Sequence, residues 1–172
     1  MTLKPDREAL WLIEGSKGMV EVNLQEILLD ALDDERKAEA TYAAVIERFG
    51  PVRPFSNIIS AEHRHAGAIE RQMARLGFDI PENPWEGKAE APSSLAAACE
   101  MAVHAEIDNI ALYDRLIPQI QDHVVRQVFQ NLQDASRDNH LPAFQRCLAR
   151  EQGQGAGGRG RGGRGQGRRC RN

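Results

Sequence analysis

Between Phe55 and Leu76 the residues Phe55, Ile58, Ile59, Ile69, Met73 and Leu76 recur at helical spacing, and Glu62 and His65 interrupt the stripe they form. Residues three apart share a helix face, so this carboxylate and this imidazole point at one place. That place is the core. A carboxylate buried on an apolar stripe is costly unless something compensates it, and a metal ion is one such compensation. The segment therefore constrains the rest of the chain, which has to supply either counter-charges or further ligands.

Three other segments have the same character. A first long helix is expected from Leu24 to Phe49, stopped by Gly50-Pro51, with Leu24, Leu28, Ala31 or Leu32, Ala38, Tyr42, Val45 and Phe49 on its apolar face. Glu35 interrupts that face, while Asp33, Asp34, Arg36 and Lys37 fall on its flanks and are expected in water. A third helix, capped by Ser93 or Ser94 and ending near Pro118, carries Leu95, Cys99, Ala102, Ile110, Tyr113 and Ile117, interrupted by Glu106. A fourth, from Asp122 to about Arg150, carries Val125, Phe129, Leu132, Ser136, Phe144 and Cys147, interrupted by His140. Pro142 should kink it just beyond the histidine, since its ring clashes with the carbonyl of Asp138.

The second helix closes at Gly77. Phe78 to Pro92 then forms a linker with Pro81, Pro84, Gly87 and Pro92, anchored by Trp85 and long enough to cross the length of a bundle. The predicted fold is all-α: a four-helix bundle over residues 23–152 with a long crossover between helices 2 and 3. Residues 1–22 form an N-terminal extension, with a short helix from Asp6 to Ile13 carrying Trp11. Gly15-Ser16-Lys17-Gly18 lacks phosphate-loop spacing and reads as a turn.

Several classes are disfavoured. No apolar run approaches a membrane span, and polar Met1 to Asp6 does not read as a secretory signal. Cys99, Cys147 and Cys170 contain no Cys-x-x-Cys pair, which argues against a rubredoxin-type or structural zinc module. It also favours a reduced, cytoplasmic setting in which Cys99 and Cys147 are packed thiols. The formal charge of -3 conceals an asymmetry, because from Gly153 onward there are six arginines and no acid. That Arg/Gly segment, residues 153–172, cannot build a core and reads as a disordered tail. It is either a solubilising tail or a weak, salt-sensitive contact for single-stranded nucleic acid.

The two halves of the bundle repeat one pattern. Glu35 is followed seven residues later by Tyr42, and the next helix carries Glu62 and His65. Glu106 is followed seven residues later by Tyr113, and the next helix carries His140. Di-iron bundles use one Glu from each of two helices and a Glu-x-x-His from each of the other two. Here Arg137 occupies the sixth position, three residues before His140.

The segments Asp34-Glu35-Arg36-Lys37-Ala38 to Tyr42 and Ala61-Glu62-His63-Arg64-His65 resemble the first two helices of rubrerythrin and other ferritin-like proteins. The whole pattern, with Phe55-Ser56-Asn57-Ile58 and Asn139-His140-Leu141-Pro142-Ala143-Phe144, is similar to bacterial stand-alone ferritin-like domains of unassigned function. Over Leu24 to Arg150 the resemblance implies an up-down-down-up bundle with a central iron site. It implies Glu35, Glu62, His65, Glu106 and His140 as ligands, with Tyr42 and Tyr113 beside them. The cofactor it implies is one or two iron ions, with manganese or zinc as alternatives for the same donors. Arg137 departs from the pattern: it would repel a metal and could pair with Glu106 or Glu62 instead.

The leading expectation is a cytoplasmic iron-binding protein, with oxidoreductase chemistry on oxygen or peroxide as its activity if it is an enzyme. Cage storage is less favoured, although a homo-oligomer stays open. The competing expectation is a metal-free helical scaffold in which Arg137 replaces the metal charge and the tail is the contact arm. His63, His104 and His123 fall on other faces and are expected at the surface.

Overall fold

The computed structural model describes residues 8–153, with side chains from Leu24 onward. Expectations for the side chain of Trp11 and for the Arg/Gly tail with Cys170 lie outside the described residues. Among the described residues the chain is all-helical, with no strand. Four rods make the bundle. The first is α1 (Glu8–Phe49), the second α2 (Phe55–Leu76) and the third α3 (Leu95–Leu116), which ends in a short 3-10 turn at Ile117–Gln119. The fourth comprises α4 (His123–Ala135), a π turn (Ser136–His140) and α5 (Leu141–Glu151). No helix among the described residues is long and apolar enough to cross a membrane.

The helix ends follow local chemistry. Ser94 caps α3 by accepting the Ala97 N–H at 3.1 Å, and Asp122 caps α4 by accepting from Val124 and Val125. Gly77 closes α2 at φ 75°, letting the Phe78 N–H turn back onto the Met73 carbonyl at 2.9 Å. One expected break is absent: α1 passes through Gly15-Ser16-Lys17-Gly18 without a turn. A glycine inside a helix costs only about 1 kcal/mol relative to alanine, so two of them weaken a helix without ending it.

The crossover between α2 and α3 is fastened to α1 at two points. The indole Nε1 of Trp85 donates to Asp33 at 2.8 Å, and the Lys37 ammonium lies 5.5 Å from the ring centre. Arg36, expected in water, is instead buried. Its guanidinium donates to the Pro81 carbonyl at 2.9 Å and to Glu70 of α2 at 2.8 Å. An arginine buried with both of its acceptors supplied is consistent with its two bonds fixing where the linker leaves α2.

The apolar core has two parts. One contains Leu28, Leu32, Ile69, Met73, Tyr113, Phe129 and Leu132, and the other contains Tyr42, Val45, Phe55, Ala102, Phe144, Cys99 and Cys147. On every rod the polar interruption falls between residues of these two clusters: Glu35 between Leu32 and Tyr42, Glu62 between Ile58 and Ala66, Glu106 between Ala102 and Tyr113, and Ser136 with His140 between Leu132 and Phe144. The bundle is two hydrophobic cores separated by one layer of buried charge.

Candidate metal centre

Register brings the polar residues together. Tyr42 of α1 meets Glu106 of α3, and Tyr113 of α3 meets Glu35 of α1, so these rods run antiparallel and each tyrosine reaches the other rod's carboxylate. The phenol of Tyr42 donates to Glu106 Oε1 at 2.8 Å, and that of Tyr113 to Glu35 Oε1 at 2.7 Å. Both phenols are held well above their ordinary pKa, first by burial and then by the adjacent carboxylate. They are therefore donors at neutral pH, and each fixes one oxygen of its glutamate while leaving the other free to face inward.

The inward oxygens meet the two histidines. His65 Nδ1 lies 3.2 Å from Glu35 Oε2 and 3.1 Å from Glu62 Oε2. His140 Nδ1 lies 3.0 Å from Glu62 Oε1 and 3.6 Å from Glu106 Oε2. The imidazole planes are stacked, with centroids 5.4 Å apart and 16° between planes. Two triads result, Glu35–Glu62–His65 and Glu62–Glu106–His140, and in each the donor atoms lie within 4.8 Å of one another. Glu62 belongs to both and offers one oxygen to each.

The second triad fits a cation better than it fits itself. Glu62 Oε1 and His140 Nδ1 are within hydrogen-bond distance, yet their geometry makes no hydrogen bond, and both are buried without another partner. Buried polar atoms are rarely left unpaired, because each costs roughly 1–3 kcal/mol. Two donors that converge without pointing at each other are what a shared ligand requires. The set itself, three carboxylates and two imidazoles, suits iron, manganese or zinc. The residues fit the group that the sequence pattern implies.

Burial disfavours the imidazolium form of both histidines, but the carboxylates outweigh it. Hydrogen bonds to Glu35 and Glu62 raise His65 to about 9, and the nearby Glu106 and Glu62 carboxylates raise His140 to about 10. Desolvation also opposes the charged form of Glu62, but His140 and His65 win and lower it. For Glu35 burial wins over His65 and the carboxyl is raised. Without metal, the layer is held together by two protons placed where cations would otherwise neutralise it.

Arg137 is not at the site. Its side chain is 48% exposed and pairs with Asp134 and, at 3.3 Å, with Asp138. The reason is the π turn. Counting three residues back from His140 assumes an α-helix, whereas a π turn takes more residues per turn and brings the fourth residue back onto the same face. That residue is Ser136, fully buried. The π turn also absorbs Pro142, whose missing N–H and bulky ring oppose regular α-helix across this segment. Ser136→Glu is expected to raise metal affinity at least ten-fold by adding a carboxylate, and Arg137→Glu to change it less than two-fold. Competition titrations against a chromophoric chelator distinguish them; equal effects would place Arg137 inside after all.

Two contributors escaped the sequence reading. Asn109, one turn beyond Glu106, donates through Nδ2 to Asp34 at 2.8 Å and to Glu35 at 3.3 Å. Facing two carboxylates fixes the amide orientation and leaves its buried Oδ1 without a partner. Asp34, expected in water, is partly buried, and burial raises its pKa against the Asn109 hydrogen bond. A cavity of about 430 Å³ opens between α1 and α3, with Ala38, Met101 and Ala105 on its walls and Tyr42, Glu62 and Glu106 along it. His63, His104 and His123 are exposed, His63 pairing with Glu39 at 2.9 Å.

Cys99 and Cys147 are not separate packed thiols. They are joined as a disulfide between α3 and α5, with Cα atoms 5.8 Å apart. The absence of Cys-x-x-Cys spacing excludes local pairs only; this one is made by the antiparallel register of two rods.

Comparisons with protein families, with curated proteins and with solved structures returned no match.

Proposed function

We propose that this is a ferritin-like protein holding a dinuclear iron centre, with oxidoreductase chemistry on oxygen or a peroxide. The observation that carries the reading is Glu62, a buried carboxylate whose two oxygens serve two Glu/His pairs, with Oε1 and His140 Nδ1 otherwise unpartnered. The directions of the rods support it. With α1 antiparallel to α3, and α2 returning along α1 through a short loop, α2 and α3 run the same way, as a crossover requires.

Glu35, Glu62 and His65 would hold one ion, and Glu62, Glu106 and His140 the other. Bound iron supplies one-electron redox change at a Lewis-acidic centre. The protein's own residues do the rest. Tyr42 and Tyr113 hold Glu106 and Glu35 from behind, so each carboxylate keeps one oxygen fixed while the other is free to shift. The cavity between α1 and α3 admits a small molecule to the Glu62–Glu106 side. Three carboxylates would leave two divalent cations with one uncompensated positive charge, so an anionic small molecule would be favoured there.

The metal-free alternative relied on Arg137 as counter-charge, and that guanidinium lies outside the layer. Aerobic loading of the purified protein with Fe(II), followed by elemental analysis, tests the reading. About two irons per chain are expected; none bound, with manganese and zinc equally absent, would overturn it.

A further inference from the structure

On the facing rods, Glu106 of α3 lies beside His140. Seven residues earlier on α3 is Cys99, and seven residues later beyond His140 is Cys147. The cysteine pair therefore stands on the same α3/α5 seam as the Glu106–His140 pair, two helical turns away, which is about 10 Å. Cys99 and Cys147 are both fully buried, in one cluster with Ala102, Phe144 and Tyr42. Tyr42 is packed in this cluster against Phe55 and Phe144, with ring centroids 5.5 and 5.1 Å away, while its hydroxyl is bonded to Glu106. One side chain thus belongs to both the sulfur cluster and the carboxylate layer.

A disulfide open to solvent exchanges with thiols in solution by direct attack, which requires access to a sulfur. Both sulfurs are buried, although the half-exposed Arg150 guanidinium reaches Cys147 Sγ at 3.5 Å, so direct attack is hindered and a route from inside the bundle is favoured. The nearest redox-capable group is the proposed metal centre, and Tyr42, in one apolar cluster with the sulfurs, has an acceptor for its proton already in place.

We propose that Cys99 and Cys147 are a two-electron reservoir for the carboxylate–histidine centre, discharged as the dithiol becomes the disulfide, with Tyr42 as the relay that links them. The inference rests on the dinuclear reading. In the forward direction the two S–H bonds break, one S–S bond forms, and two protons and two electrons are released. Hydrogen peroxide, as the oxidant, takes up two protons and two electrons as its O–O bond breaks to give two waters. The sum is one dithiol and one peroxide giving one disulfide and two waters. Glu106 receives the phenol proton of Tyr42 and returns it as the phenol is restored, so the relay adds nothing to the balance; the two thiol protons are the two that end in the waters.

The test follows the sulfurs, not turnover. Full-length protein is reduced, loaded anaerobically with Fe(II), mixed with one equivalent of hydrogen peroxide and quenched in acid. Alkylation in denaturant and peptide mass spectrometry then give the oxidation state of Cys99 and Cys147. Loss of both thiols is expected at least ten-fold faster in loaded than in metal-free protein. Per bound metal, Tyr42→Phe should slow it at least ten-fold. Phe129→Leu, which changes an aromatic ring in the other apolar cluster and touches no proposed ligand, should slow it less than two-fold. Thiols that survive in loaded protein, or vanish equally fast without metal, overturn the reservoir and leave the metal centre standing. Equal slowing by the Tyr42 and Phe129 variants overturns the relay. Failure of the protein to bind metal at all removes both the centre and the reservoir.

Discussion

Glu62→Gln is expected to remove both metals of the proposed centre at once, whereas Glu35→Gln or Glu106→Gln should remove about one. Glu35 and Glu106 each belong to a single triad, while Glu62 supplies an oxygen to both. An amide keeps the shape and one oxygen, but it loses the charge and presents an N–H₂ to one of the two sites. That side is then a donor facing His65 or His140, each of which also points a ring nitrogen inward. The expected stoichiometry falls from two to below 0.2 per chain for Glu62→Gln and to about one for the others, with affinity at the surviving site reduced roughly ten-fold. Elemental analysis after gel filtration reads this directly. If Glu62→Gln keeps one full equivalent, the two sites do not share it.

Acidity has the second large effect. In metal-free protein His65 titrates at about 9 and His140 at about 10, so both are imidazolium at pH 7. Metal can bind only by displacing those protons. Affinity for the pair of ions should therefore fall by up to roughly 100-fold for each unit of pH lost between pH 8 and pH 6. Calorimetry in buffers of different ionisation enthalpy should show up to two protons released per chain. The stability of the metal-free protein moves the opposite way. A folded pKa raised above the unfolded value of about 6.5 stabilises fully below that value, and the contribution disappears as pH rises through the folded pKa. Metal-free protein should thus be most stable below about pH 6.5 as far as these groups go. It should lose that stability progressively between there and pH 10, seen as a falling Tm. Metal-loaded protein, with no such protons to lose, should show a flat Tm across the same window. Metal affinity that is flat between pH 6 and 8 would mean the histidines are neutral in the metal-free layer.

The parts legible from sequence were those set by local periodicity and punctuation. The start of α2 at Phe55, its stop at Gly77, a serine cap at Ser93 or Ser94 (Ser94 in the structure), the crossover and its Trp85 anchor need only neighbours in the chain. The five residues Glu35, Glu62, His65, Glu106 and His140 were legible because each breaks an apolar stripe, and a stripe on a bundle helix has only one place to point. What was not legible depends on geometry between elements or on a departure from 3.6 residues per turn. Arg137 was misplaced because its position was inferred from α-helical counting across a π turn. Arg36 looked like a flank residue and became buried only because the crossover passes over it. Cys99 and Cys147 meet through antiparallel register, which no spacing along the chain reveals. Asn109 has no signature of its own, since a polar residue one turn beyond a buried glutamate is equally well a surface amide.

The π turn has a wider consequence than the placing of one arginine. One extra residue in a helix rotates everything after it by about 100° relative to everything before it. The inward aim of Phe144 and Cys147 therefore depends on a residue count upstream of them, not on their own surroundings. Deleting a single exposed position such as Arg137 or Asp138 would leave every core residue type unchanged, yet would swing α5 so that its apolar face left the bundle. In this rod the length of the chain carries information that its composition does not, and a shortening by one residue would do more harm than most substitutions.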